Sequence, residues 1–454
     1  MSQITNPIRY PDTGSTPTMT KRAWWLVVLN VALPGSVQVL AGNRRLGRFG
    51  LGATLIFAAL AVVTLVVYKA WPETFLTIFT TNLGLWAAAL ALTFYAVVWL
   101  ILTLDTLRLV RLVRAGPRAR PVIAVLTTAV MVVLCGTAGY GAFVATTAST
   151  FLSDVFVAGP SEPPVDGRYN VLLLGGDAGA DRDGLRPDSI SVVSIEADTG
   201  QATMISLPRN LEKVPFSAGS ALGALYPDGY GAIDGCDTDA CILNSIYTEG
   251  EIKRPFLYPD AVAQGSSPGI EATKEAAQGI TGLQIQYYVL IDMQGFSDLV
   301  DALGGVDIDV QSRVPVHSDE TFTKVAFWFE PGMQHMDGYH ALWFARSRHG
   351  TSDYDRINRQ RQLQEALLAQ ANPANVLTQF QGVAKAGKEV VKTDVPQGML
   401  GYFVNLASKT KTLPIEGVAL TPDNGVDPEK PDYANITALI QAALAPPATD
   451  APAP

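Results

Sequence analysis

"YNVLLLGG" (169–176) is an apolar run of strand length closed by two glycines, the pattern of a central strand buried on both faces. Two β-rich runs follow, "DSISVVSIEAD" (188–198) and "ATMISLP" (202–208), and the turn residues "TGQ" between them predict a hairpin. Further on, "SPGIEATKEAAQGITG" (267–282) has helical composition, "YYVLIDM" (287–293) is a strand, and "QGFSDLVDALGG" (294–305) is a helix closed by glycines. "VDIDV" (306–310) then completes a strand-helix-strand unit. Strands alternating with helices predict an α/β fold, a mixed central β-sheet covered by helices on both faces.

The 454-residue chain is 48% hydrophobic, too apolar to be soluble throughout. "LGATLIFAALAVVTLVVY" (51–68), "LGLWAAALALTFYAVVWLILTL" (83–104) and "PVIAVLTTAVMVVLCGTAGYGAFVA" (121–145) are each long and charge-free enough to cross a hydrocarbon core of roughly 30 Å. "WWLVVLNVALPGSVQVLAG" (24–42) is also apolar but broken by Pro34 and Gly35, so it either crosses or dips in and returns, making three or four spans. Arg44, Arg45 and Arg48 in one loop, and Arg108, Arg111, Arg114, Arg118 and Arg120 in another, mark both loops as cytoplasmic. Everything after residue 146 is then outside. Crossing by 24–42 is the expectation, and parity would then put the amino terminus outside, against the inward vote of Lys21 and Arg22.

The expected organisation is a disordered tail (1–20), a membrane anchor (21–146), a stalk (147–168), an exported domain (169–445) and a second disordered tail (446–454). Residues 1–150 carry a net +9, so the remainder carries −18 within a total of −9. An acidic exported domain argues against a nucleic-acid surface. No ionisable residue lies inside the three clear spans, which therefore read as an anchor, not a transport path. Cys236 and Cys241, in "GCDTDAC", lie in an oxidising setting and are expected to form a local disulfide. The four histidines have no zinc-ligand spacing.

Two patterns carry chemistry. Asp177 follows the buried strand directly and Asp188 opens the next one, so the loop "DAGADRDGLRP" brings both carboxylates to one sheet end, where open α/β sheets bind ligands. The calcium-loop alternative fails because Gly179 occupies a position that needs an oxygen ligand, while an ordinary Asp/Gly-rich turn remains open. "WFARSRHGTSDYDRINRQRQ" (343–362) has five arginines and no lysine: a solvated helix face or an anion site. Here Asp337 can cap one helix, which ends near Arg346 and Arg348, and Asp353 can cap the next, with Arg356 and Gln360 sharing a face. Arg359 and Arg361 are either ligands or solvated. With Arg186 beside Asp188 and Arg209 ending the hairpin, two metal-competent carboxylates amid arginine forks describe a phosphate site.

"NVLLLGGDAGADRDGLRPDSISVVSIEADTGQATMISLPRN" and "GMQHMDGYHALWFARSRHGTSDYDRINRQRQ" together resemble the LytR-CpsA-Psr family of bacterial envelope phosphotransferases, over roughly residues 165–372. The resemblance implies a bacterial cell-membrane protein with an extracytoplasmic catalytic domain. Such a domain moves a glycopolymer from a polyprenyl-pyrophosphate carrier to peptidoglycan, at the muramyl C6 hydroxyl, through a phosphodiester. It implies Mg²⁺, with Mn²⁺ as the alternative, on Asp177 and Asp188, and pyrophosphate on Arg186, Arg209, Arg346, Arg348, Arg356 and Gln360, with Asp353 as the second signature's acid. It also implies an apolar tunnel for the isoprenoid, for which "FSDLVDAL" (296–303) and "FVNLA" (403–407) are candidate linings. Asn210, where the family often has Asp, and Arg361 depart from the pattern. The alternatives are a non-catalytic polyprenyl-phosphate sensor or scaffold, and a polyprenyl-pyrophosphate phosphatase.

Overall fold

A computed structural model describes residues 8–177, 186–316, 322, 324–347, 352–370 and 391–445. The chain divides into two compact units, Met1–Thr150 and Phe151–Pro454.

The first unit is helical: α1 (Thr16–Ala32), α2 (Ser36–Ala41), α3 (Arg44–Ala70), α4 (Pro72–Phe79), α5 (Asn82–Val110) and α6 (Ala119–Val155). Three helices, Arg44–Ala70, Asn82–Arg114 and Ala119–Val155, are long and apolar enough to cross a membrane. Only 11%, 28% and 11% of their most apolar windows are buried, so most of their apolar side chains face outward, as lipid-facing helices require. Asn43 starts α3 by accepting the Arg45 and Leu46 amides (2.9 and 3.3 Å). Residues 24–42 are not one helix, because Pro34 cannot continue α1 and Gly35 turns the chain at φ +95°.

In the second unit six strands form one mixed sheet: β1 (Arg168–Asp177), β2 (Arg186–Glu196), β3 (Ala202–Leu207), β4 (Tyr287–Asp292), then β9 (Val391–Thr393) and β10 (Glu416–Ala419) at the edges, in the order β10-β3-β2-β1-β4-β9. The apolar run 169–176 is the inner strand it resembles, antiparallel to β2 and parallel to β4. The period-2 alternation divides its side chains. Leu172 and Leu174, with Ile190, Val192, Ile205 and Leu290, enter the main core under Ile270, Ala276 and Ile280 of α9 (Pro268–Thr281) and Ile436 and Ile440 of a carboxy-terminal helix (Tyr433–Leu444). Each fully buried isoleucine there is worth about 1.5–3 kcal/mol. Val171 and Leu173 face the opposite side, which α10 (Met293–Leu303), α11 (Gly338–Arg346) and α12 (Asp353–Gln370) cover. Two short helices, α7 (Ala221–Leu225) and α8 (Ser245–Thr248), lie in the long connection before α9.

The expected strand-helix-strand unit is corrected at its last member. β5 (Val306–Val310) pairs with β8 (Gly332–Met336) in a separate two-stranded sheet, beside a second small pair, β6 (Val314–Val316) and β7 (Phe327–Phe329). Strict alternation of buried Val306, Ile308 and Val310 with exposed Asp307 and Asp309 suits a ribbon with one wet face, not a strand covered on both. These ribbons and α10–α12 bury their own core around Val300, Ile308, Phe329, Phe344 and Leu363. The stalk also differs from expectation: α6 runs to Val155, and Val157 exchanges backbone hydrogen bonds with Val395 and Gln397 (3.3 and 3.0 Å), so the connection packs on the sheet unit. Cys236 and Cys241 are disulfide-bonded, with Cα atoms 5.7 Å apart.

Candidate functional site

The site begins where β1 and β2 end. Their register sets Asp177 opposite Arg186, after a bulge between Gly175 and Gly176. Gly175 is a close approach, since a Cβ there would lie 3.0 Å from that of Ser189. One turn of the pleat inward, Asp188 Oδ1 accepts from Arg209 Nη1 at 2.6 Å, with both side chains roughly a quarter exposed or less (21% and 24%). The hairpin therefore brings Asp188 and Arg209 into contact, as their placement at one sheet end required. Arg186 points elsewhere, to Asp239 in the disulfide loop at 3.4 Å. Asp239 is almost fully exposed, so that ion pair contributes at most about 1 kcal/mol.

The second half comes from α11 and α12. Asp337 caps α11 as expected, accepting from the His340 amide at 2.8 Å. Arg346 closes that helix with its guanidinium 5.3 Å from the centre of the Trp343 ring, a cation–π contact. The cap of α12 is corrected: Ser352 and Asp355 form a reciprocal box in place of Asp353. The Ser352 amide and hydroxyl both donate to Asp355 Oδ2 (2.8 Å each), and the Asp355 amide donates to Ser352 Oγ (3.1 Å). Those donors, the amide foremost, hold the Asp355 carboxyl below the ordinary range. One turn further, Arg356 is 2% exposed. Gln360 Nε2 reaches Ala345 O at 3.4 Å.

Arg359 is not solvated, and it is not among the residues that line the cavity described below. It is buried, and its Nε and Nη2 donate to the carbonyls of Phe344 and Ser347, closing the open end of α11 and pinning it to α12. Arg361 leans on Glu365 at 3.7 Å.

Between the sheet and α10–α12 lies a cavity of about 670 Å³. Its walls are apolar along the strands, from Leu173, Val193, Met204 and Val289 to Phe296 and Trp343. Asp188, Arg209, Asp292, Arg346, Arg356 and Gln360 are among its polar lining groups, the first three at the strand ends. "FSDLVDAL" thus contributes Phe296 to the lining. "FVNLA" does not: its Phe403 and Leu406 sit on α13 (Leu400–Thr410) and pack on Tyr169 and Tyr287 in a closed aromatic cluster. The side chains of Asp177 and Asp353, and Arg348 entirely, lie outside the described residues. Among the described residues no three His, Cys, Asp or Glu side chains form a metal cluster.

Sequence reasoning missed Asp292 and Ser347. Asp292 lines the cavity mouth while capping α10 through the Gly295 amide at 2.8 Å, and its signal was an acid between a strand and a helix. It also missed the support beneath the disulfide loop. Glu249, with no exposed surface, accepts from Tyr226, Tyr230 and Arg254 (2.9, 3.2 and 2.8 Å), and Arg254 also holds Asp237. Burial and Glu249 push the Tyr226 hydroxyl up to about 12.

Residues 147–437 match the model of the LytR_cpsA_psr family. The chain belongs to this family. Among curated relatives it is 26% identical over 212 residues to the polyisoprenyl-teichoic acid–peptidoglycan teichoic acid transferase TagV of Bacillus subtilis, covering 46% of this chain and 45% of TagV. It is 27% identical to TagU of Bacillus anthracis, another such transferase (51% and 62% covered), and 25% identical to the cell wall biosynthesis protein LcpA of Corynebacterium glutamicum (62% and 56%). The crystal structure of TagV aligns at 22% identity over 62% of this chain and 96% of that one, with a TM-score of 0.42. The matched part thus spans about half the length of these LytR_cpsA_psr relatives.

Proposed function

We propose that this protein transfers an envelope glycopolymer from a polyprenyl-pyrophosphate carrier to peptidoglycan. The observation that carries the reading is the polarity of one cavity: apolar along the strands and ringed at one end by Arg209, Arg346, Arg356 and Gln360 around Asp188. An amphiphile with an anionic head fits such a cavity. The relatives named as teichoic acid transferases support the same class of donor and acceptor.

In this reading the muramyl C6 hydroxyl forms an O–P bond to the sugar-proximal phosphorus. The bridging P–O bond breaks, and polyprenyl phosphate leaves with its electron pair. The hydroxyl proton passes to a carboxylate of the set Asp177, Asp188 and Asp353. Arg209, Arg346, Arg348 and Arg356 hold the non-bridging oxygens, where charge stabilisation accounts for most phosphoryl-transfer catalysis. Arg186 is recruited from Asp239, an exchange its weak ion pair permits. Asp188, a hard oxygen donor at the mouth beside the end of β1, fits a magnesium or manganese ion, which it would hold together with Asp177. Such an ion would neutralise phosphate charge.

In this reading the chemistry takes place at the outer face of a bacterial membrane, with α3, α5 and α6 as the spans. The test uses full-length protein in proteoliposomes with lipid-linked polymer and peptidoglycan. Asp188→Ala and Arg356→Ala should each lower transfer at least about 100-fold. Transfer undiminished in both, or release of polymer to water at equal rate without acceptor, would sink the reading.

A further inference from the structure

Helices α1 and α2 form a hairpin whose depth can be read from the helices it touches. At its base, Arg22 donates to the carbonyl of Leu109 at 2.8 Å and the Gly116 amide donates to Thr20 Oγ1 at 2.8 Å, both beside the arginines that end α5. Halfway up, Asn30 exchanges hydrogen bonds with Thr103 and Thr106 (3.1 and 3.0 Å), so α1 runs antiparallel to α5. At the tip, Thr54 Oγ1 donates to the carbonyl of Pro34 at 3.2 Å, and a Cβ on Gly35 would collide with the backbone of Gly47, Gly50 and Leu51. Descending, Gln38 donates to the carbonyl of Leu102 at 2.9 Å, and Gly42 returns to the side chain of Leu109.

Thr54 lies ten residues beyond Arg44, where α3 starts, which is about 15 Å along a helix, and Ala32 lies the same ten residues beyond Arg22 on α1. The six residues of α2 climb down about 9 Å of that distance. A crossing needs roughly 30 Å. The hairpin thus reaches about halfway and turns back toward the level of Arg44. At the break the Pro34 carbonyl accepts from Thr54 and the Leu33 carbonyl from the Ser36 amide at 3.1 Å, partners inside the protein as irregular backbone at membrane depth requires. The outer face of α1 and its C-cap present Trp25, Val28, Val31 and Leu33, which are exposed, as are Leu55 and Ile56 of α3 and Ile101 and Leu104 of α5.

We propose that residues 16–42 are a re-entrant hairpin, inserted from the side of the arginine loops into that leaflet, with Trp25, Val28, Val31 and Leu33 against its acyl chains. The chain then crosses three times, and its amino-terminal segment shares a side with Arg44, Arg45 and Arg48. This replaces the four-span expectation, and Lys21 and Arg22 now agree with the other arginines. It is independent of what the cavity binds.

The experiment is cysteine accessibility in the full-length chain carrying Cys135→Ala, with the disulfide intact. Asp12→Cys, Leu33→Cys and Arg45→Cys, one at a time, meet a membrane-impermeant maleimide in spheroplasts and in inside-out vesicles. Asp12→Cys and Arg45→Cys should label only in inside-out vesicles, and Leu33→Cys at least tenfold more slowly than either from both sides. Labelling of Asp12→Cys in spheroplasts would mean a fourth span and overturn the proposal. Labelling of Leu33→Cys as fast as Asp12→Cys would overturn it by showing no lipid contact. An epitope placed ahead of residue 8 tests sidedness again without a cysteine.

Discussion

Arg359→Met separates an arginine that builds the site from those that use it. Methionine keeps much of the aliphatic stem but removes both donors, so the carbonyls of Phe344 and Ser347 lose the side-chain partners they have among the described residues where α11 meets α12. A buried group left unsatisfied costs about 1–3 kcal/mol, partly offset here because the guanidinium no longer needs desolvating, an effect that already lowers its pKa. The net expectation is a loss of about 2–4 kcal/mol. At roughly 2 °C per kcal/mol for a unit of this size, the apparent Tm falls by about 4–8 °C. Arg359 does not line the cavity, so transfer measured well below that Tm should fall less than in Arg356→Met, which deletes a lining charge and should lose about 100-fold. Differential scanning fluorimetry of full-length protein in detergent, with the transfer assay beside it, reads both. An Arg359→Met variant that melts within about 1 °C of the parent would refute the reasoning.

Ser352→Ala should cost about 1 kcal/mol by removing half of the α12 cap. Because the Asp355 pKa is lowered on folding, its contribution is complete above about pH 4 and is lost as pH falls through the lower folded value. Acid melting curves of Ser352→Ala should show less of this loss, and identical curves would reject the box. Ile415→Trp, which fills the apolar end of the cavity, should slow transfer from a long polyprenyl carrier at least about tenfold while sparing a carrier of two isoprene units; equal slowing of both would reject a lipid in the cavity. The pair Cys236→Ser, Cys241→Ser should melt within a few degrees of the parent, since so short a ring contributes less than the roughly 3 kcal/mol of a fifteen-residue loop. It should nevertheless change polymer handling, because Asp237 and Asp239 from that loop clasp Arg254 and Arg186. Global unfolding of the pair would contradict this.

What the sequence revealed follows from the length of each signal. The runs that became β1 to β4 and helices α9 to α11 were legible because period and punctuation agreed over six residues or more. The edge strands β9 and β10 have three and four residues, too few for any period, and owe their existence to the neighbours they pair with. β5 was found but given the wrong partner, because V-D-I-D-V fixes which face is dry and not which strand lies alongside. For the site, Asp188 with Arg209, and Arg356 with Gln360, were recoverable from strand ends and helical spacing. Arg359 was not: its role depends on two carbonyls twelve and fifteen residues away that a helix end happens to leave open. "FVNLA" and "FSDLVDAL" are equally apolar, and only the course of the chain between sheet and helices decides which one meets the cavity.

The mouth of the cavity is a seam between two separately packed bodies. Asp188 and Arg209 ride on the large sheet, whereas Arg346 and Arg356 ride on helices rooted in the small core around the β5–β8 ribbon. A phosphate head held there, as proposed, would be gripped from both sides and act as a clasp. Occupancy should stiffen the joint, so a tight-binding amphiphile would protect the ribbon from protease although it touches no part of it.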